Sequence, residues 1–148
     1  MAEAYELSAL EARQKIKEGT LTSERLLQSC LERINRRSGE VEAWTFIDPE
    51  LALLSAINSD KNGNLGPLGG LPIGIKDIID TKTMPTTYGS SIYGLNQPKK
   101  DAACVHMVRE HGGVILGKTV TTEFAWRNPG KTKNPHNPLH TPGGSSSG

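Results

Sequence analysis

Cysteine is scarce in these 148 residues: Cys30 and Cys104 stand far apart and outside any C-x-x-C pair. That spacing excludes a disulfide framework and a zinc-ribbon arrangement. Both fall on apolar helical stripes and are expected as small core residues of a protein from a reducing compartment. A surplus of charge is also missing. There are 17 basic and 16 acidic side chains, net +1, which excludes a chain-wide basic polyelectrolyte and an acidic solvating tail. No apolar run approaches the ~20 residues of a membrane span. The opening Met-Ala-Glu-Ala-Tyr-Glu has neither the basic nor the apolar region of a signal peptide. The expectation is a soluble cytoplasmic protein with no membrane partner. No internal repeat is present. His136 and His140 are four apart, but Pro135, Pro138 and Pro142 exclude the helix that would bring them onto one face. No metal site and no cofactor are expected.

Length fits one domain, and the composition changes near residue 61. Up to that point there are 8 basic and 11 acidic residues, with two of the 16 glycines and one of the nine prolines. Beyond it there are 9 basic and 5 acidic residues, with all the other glycines and prolines. Residues 1–61 therefore read as a charged helical segment. Residues 62–148 read as short apolar runs joined by turns.

Ser8-Ala-Leu-Glu11 is a capping box and Gly19 a stop, predicting a helix over 9–18. Thr22 or Ser23 caps a second helix, whose stripe Leu27, Cys30, Leu31, Ile34 has the spacing of one buried face. Arg33, Arg36 and Arg37 are expected near its negative end. Ala43–Ile47 reads as a strand. Asp48-Pro49 opens a third helix that runs to about Asp60. Asn62–Gly70 reads as a loop, Leu71–Lys76 as a short apolar strand and Thr81–Gly94 as a polar connection. Asp101 is expected to cap a helix through His111, which Gly112-Gly113 ends. His106 and His111 fall on that helix's surface or end. Val114-Ile-Leu116 reads as a buried strand of a parallel sheet. Trp44 and Trp126 are expected as packing residues, Trp126 alternatively as a pocket wall. The alternation of strand, helix and strand indicates an α/β fold.

Gly112-Gly-Val-Ile-Leu-Gly117-Lys118-Thr119 satisfies the phosphate-loop pattern G-x-x-x-x-G-K-[ST] letter for letter. That loop needs a strand before it and a helix after it. Here the helix comes first, and the supposed loop holds Val114, Ile115 and Leu116, which favour a buried strand. The expected role is a core strand delivering Lys118 and Thr119 to the sheet edge.

Three segments carry chemistry. Gly69-Gly-Leu-Pro-Ile-Gly-Ile-Lys76-Asp77 ends an apolar strand in a lysine. That lysine either reaches solvent or pairs with Asp77 or Asp80, or else it is partly buried. Burial disfavours its charged form and lets it act as a general base. Thr141-Pro-Gly-Gly-Ser145-Ser146-Ser147-Gly148 places consecutive glycines before a serine, which permits unusual backbone geometry and close approach. A hydroxyl held rigidly there can relay a proton. Gly117-Lys118-Thr-Val-Thr-Thr-Glu123-Phe124 supplies hydroxyls and a carboxylate after a buried strand, the binding end of an α/β sheet.

These segments, with Met84-Pro-Thr-Thr-Tyr88-Gly, Asp101-Ala-Ala-Cys-Val105, Thr122-Glu-Phe124 and Asn134-Pro135 between them, resemble the amidase signature family. Their order and spacing follow the family's over essentially the whole chain. The resemblance implies an α/β fold with a mixed sheet flanked by helices, here a single partial domain over 1–148. It implies a Ser–cis-Ser–Lys triad that hydrolyses a carboxamide to an acid plus ammonia or an amine, without a cofactor. Lys76 matches the catalytic lysine, Ser145 the serine after a cis peptide bond, and Ser146 a supporting hydrogen-bonder. The nucleophilic serine and its oxyanion hole belong to a second Gly-Gly-Ser motif further along the family pattern. Residues 1–148 alone are therefore expected to be inactive or nearly so. The implied partner is a small-molecule amide, with no nucleic acid bound directly and a homodimer as a possible assembly. Two alternatives stay open: a glutaminase-type subunit of a tRNA-dependent amidotransferase, and a truncated, non-catalytic amide-binding product. Tyr88 and the Thr81–Gly94 segment are candidates to touch substrate, whose identity the sequence leaves open.

Overall fold

The computed structural model describes residues 3–63 and 65–148. Met1, Ala2 and Asn64, the last in the expected 62–70 loop, lie outside them. Helices α1 (Ala9–Lys17), α2 (Ser23–Val41), α3 (Pro49–Lys61) and α4 (Ala103–Glu110) accompany strands β1 (Trp44–Ile47), β2 (Pro72–Lys76) and β3 (Val114–Thr119). The sheet order is β1-β3-β2. β1 pairs antiparallel with β3 in the register Trp44↔Thr119, Phe46↔Lys118 and Ile47↔Gly117. Beside β2, Val114 N–H donates to Leu71 O and Asp77 N–H donates to Thr119 O. Both partners advance together, so β2 and β3 run parallel and the sheet is mixed, as expected.

The chain forms two compact units. In the first (the described residues up to Asn35, with Asp48–Ile73 and His106–Leu116), Ala12, Ile16, Leu26 and Leu71 make a buried apolar cluster. Ser8 Oγ accepts the Glu11 N–H while the Glu11 carboxylate accepts the Ser8 N–H, the capping box expected. The start of α2 is held twice. Thr22 Oγ1 accepts the Arg25 N–H. The Asp60 carboxylate accepts the N–H groups of Ser23 and Glu24 at 2.8 and 3.0 Å. Asp48 caps α3 through the Leu51 N–H.

Gly112 turns the chain from α4 into β3 at φ +84°, where a Cβ would stand 2.0 Å from Leu65 O. Four of the first five β3 residues, Val114, Ile115, Leu116 and Lys118, are large and all are buried. The stretch that mimics a phosphate loop is therefore a core strand, as read from its context.

Several expectations need correction. Helix α2 continues past Arg36 and Arg37 to Val41 and has no basic residue in its last turn. Its end is fixed within the second unit (Arg36–Ile47, Gly74–Val105 and Gly117–Gly148). There Lys133 N–H donates to Val41 O, Thr132 Oγ1 donates to Glu42 O, and Lys133 pairs with Glu42 at 3.0 Å. Glu42 itself takes a left-handed φ of 53°, a geometry that glycine adopts more readily. Helix α4 starts at Ala103, and Asp101 Oδ1 accepts the Lys82 N–H at 2.7 Å. Cys104 is exposed, because α4 buries only Val105 completely. Cys30 does sit against the first unit's core, and burial pushes its thiol pKa up. Trp126 is 74% exposed and is not a packing residue among the described residues. Among those residues no helix is long and apolar enough to cross a membrane.

Candidate active site

The candidate site lies within the second unit, where β2 ends in Lys76 and the Gly-Gly-Ser segment passes the residues that follow β3. Strand β2 alternates: Ile75 is buried, Gly74 is exposed and Lys76 is half-buried. A turn begins immediately after it, closed by Ile79 N–H to Lys76 O. Asp77 fixes that turn through its backbone. Its N–H donates to Thr119 O at 2.9 Å and its carbonyl accepts the Tyr88 N–H at 3.0 Å.

Residues 143–148 lie antiparallel to Val120–Thr122, with a bridge between Thr121 and Ser146. Ser145 O accepts the Thr122 N–H at 3.0 Å and the Thr121 hydroxyl at 3.2 Å. Ser147 N–H donates to Val120 O, and Ser147 Oγ closes the loop on Gly143 O. The Gly144–Ser145 peptide bond is cis. At Gly144 a Cβ would stand 2.7 Å from Thr122 Cγ2, so only glycine lets the loop lie this close.

The two segments meet at one contact. Lys76 Nζ donates to Ser145 Oγ at 2.6 Å. A serine hydroxyl both accepts and donates. While it accepts from Lys76, its own proton is available to a third group. A neutral lysine in the same place accepts that proton, so the pair has the parts of a proton relay. Ser146, expected as a support, is exposed, and it is the buried Ser147 whose hydroxyl ties the loop.

Of the two open readings of Lys76, pairing with Asp77 or Asp80 gives way to the contact with Ser145. Each carboxylate is engaged elsewhere. Asp77 is fully buried and pairs with Lys118 Nζ at 3.2 Å, both side chains being 0% exposed. It also accepts the Thr87 N–H and hydroxyl. Lys118 completes its donors with Thr86 Oγ1 at 2.6 Å and Pro85 O at 3.2 Å. Burial lowers the Lys118 pKa from the ordinary lysine value, against the opposing pull of Asp77 and Asp80. Asp80 accepts the Tyr88 hydroxyl at 2.8 Å. That bond, more than burial, raises the phenol's pKa.

The buried Lys118–Asp77 pair is the feature that the sequence reading missed. It expected Lys118 at the sheet edge, whereas β3 is the middle strand. The available signal was the run Val114-Ile-Leu-Gly-Lys118: a strand apolar on both faces buries whatever follows in register. Thr122 precedes a single 3-10 turn, Glu123–Ala125. Its hydroxyl donates to Trp126 O rather than capping the turn. Glu123 accepts from Ser90 Oγ at 2.7 Å and from Asn128. Those two bonds, Ser90's first, lower its carboxyl pKa. Tyr88, Tyr93 and Phe124 stack edge to face beside this turn. His136 and His140 lie in a segment of turns, not on a helix.

A lysine bonded to a serine hydroxyl, on a mixed sheet flanked by helices, sets this chain among α/β proteins with a lysine–serine pair at the end of a strand. Residues 25–148 match the Amidase family, and the chain belongs to it. The chain is 39% identical over 151 aligned residues to a glutamyl-tRNA(Gln) amidotransferase subunit from Lachnospira eligens, covering 95% of this chain and 31% of that protein. It is 33% identical to the peptide amidase from Stenotrophomonas maltophilia, with a TM-score of 0.87, covering 97% of this chain and 33% of that one. A fatty acid amide hydrolase superposes with a TM-score of 0.88 at 26% identity, covering 99% of this chain and 28% of that one. The chain thus spans about a third of the length of the relatives it matches.

Proposed function

We propose that these residues form the lysine and relay-serine part of an amidase active site, which hydrolyses a carboxamide C–N bond to an acid plus ammonia or an amine. The observation that carries the reading is the 2.6 Å contact from Lys76 Nζ to Ser145 Oγ. In this reading neutral Lys76 takes a proton through Ser145 from a nucleophilic serine supplied beyond residue 148. The serine oxygen attacks the amide carbonyl, and the relay returns the proton to the departing nitrogen. Water then releases the acid from the acyl-enzyme by the same route. Ser146 stands next to the relay as an exposed supporting hydroxyl. Residues 1–148 by themselves have the relay without the nucleophile and should release no ammonia.

A second reading is favoured by the amidotransferase relative: the amide is glutamine, and the ammonia passes to a partner subunit. One assay separates the two. The protein carried by the full reading frame that holds these residues is given glutamine, peptide amides, aliphatic amides and aromatic amides, and ammonia release is measured. Cleavage of non-glutamine amides by the protein alone is the expected result. Release from glutamine only, and only with a partner subunit present, supports the second reading. No release from any amide under either condition overturns both.

A further inference from the structure

Two carboxylates, Asp77 and Asp80, follow Lys76 within four residues, yet its Nζ bonds to a hydroxyl. An ammonium beside a free carboxylate gains more from that ion pair than from a serine. The arrangement therefore needs both carboxylates occupied, and both are. Lys118, buried in β3, takes Asp77 at 3.2 Å, with Thr87 on the same carboxylate. Tyr88 OH takes Asp80 at 2.8 Å. The remaining acidic group on a neighbouring turn, Glu123, is held by Ser90 and Asn128. Burying an ion pair is a poor way to gain stability, since apolar residues of similar volume often do as well or better. Its presence one residue from Lys76 points to another role.

We propose that Lys118 and Tyr88 are positioning residues: by engaging Asp77 and Asp80 they keep these carboxylates from capturing Lys76, and so leave Lys76 to Ser145. The inference rests on the amidase reading of that pair. It assigns work to the lysine of the false phosphate-loop motif and to a tyrosine otherwise expected only to touch substrate.

The test uses the full-length protein and its best amide substrate, with kcat, KM and the pH profile of kcat/KM as readouts. Lys118→Met leaves the Asp77 carboxylate without its cation, one residue from Lys76. It should lower kcat at neutral pH by about tenfold or more, with KM little changed, and move the acid limb of the profile up by about one pH unit. Lys118→Met combined with Asp77→Asn removes the competing charge while keeping an acceptor for the Thr87 N–H. It should restore kcat to within about threefold of wild type. A merely structural pair predicts instead that the single variant loses folded protein while the molecules that stay folded keep the wild-type kcat and pH profile, and that result overturns the proposal. Tyr88→Phe and Tyr88→Phe/Asp80→Asn repeat the cycle at the second carboxylate and decide the matter if Lys118→Met fails to fold. Wild-type rates and profiles in both single variants also overturn it. Lys76→Ala is the control: if it stays fully active, the amidase reading itself has failed. If it is inactive while the cycles show no rescue, only the present inference has.

Discussion

At the scale of single residues, the site is governed by which acceptor each donor finds. Lys76 finds Ser145, Lys118 finds Asp77, Tyr88 finds Asp80 and Ser90 finds Glu123. Neighbours in the chain do not pair, and each carboxylate is met by a donor from a different segment. Glu123 gives a direct check of this ordering. Its carboxyl pKa is lowered in the folded protein, chiefly by the Ser90 hydroxyl. The stability this contributes is therefore present above the ordinary glutamate range and lost as pH falls through the lowered value. A carbon-13 NMR titration of the Glu123 carboxyl should find it titrating below the ordinary range. Ser90→Ala should move it back up. An unchanged midpoint in Ser90→Ala would show that the hydroxyl does not hold the carboxylate in solution.

At the scale of elements, local chemistry sets the starts of helices more firmly than their ends. Ser8 with Glu11 and Asp48 with Pro49 open α1 and α3 where their residue types place them, because a cap and its amides lie three residues apart. The end of α2 was not legible. Gly39 is tolerated inside the helix, and the stop at Val41 is imposed by Thr132 and Lys133, some 90 residues downstream. The start of α2 mixes both kinds of control, since Thr22 is local and Asp60 arrives from α3. Asp60→Ala should lower stability by about 1–2 kcal/mol, as loss of a good N-cap does. Asp60→Asn should recover part of that loss. Urea unfolding measures it as a shift in midpoint at constant slope. A midpoint unchanged in Asp60→Ala would mean that Thr22 alone is sufficient.

At the scale of the whole molecule, the α/β class, the order of strands along the chain and the Lys76 and Gly-Gly-Ser145 segments were legible. Their motifs are local strings with fixed spacing. The meeting of Lys76 with Ser145, 69 positions apart in the chain, entered the sequence reading only through family resemblance, because residue spacing does not encode a tertiary contact. The apolar run before Lys118 hinted at its burial, but its pairing with Asp77 was not legible. Nothing in the order of residues says that β3 lies between β1 and β2, and it is that central place which buries a lysine. The exposure of Cys104 and Trp126 went unread for a related reason. A helical period or a large ring marks a side chain that can be buried, while the neighbouring elements decide whether it is.

The central claim is that Lys76 and Ser145 act together in cleaving an amide. The most direct measurement is the ammonia-release rate of the full-length protein beside its Lys76→Ala, Ser145→Ala and doubly substituted variants. Each single change should lower kcat by about 10⁴-fold, and the double change should be scarcely worse, because the two groups act as a unit. Full activity in either single variant, or losses that multiply in the double variant, would contradict the account.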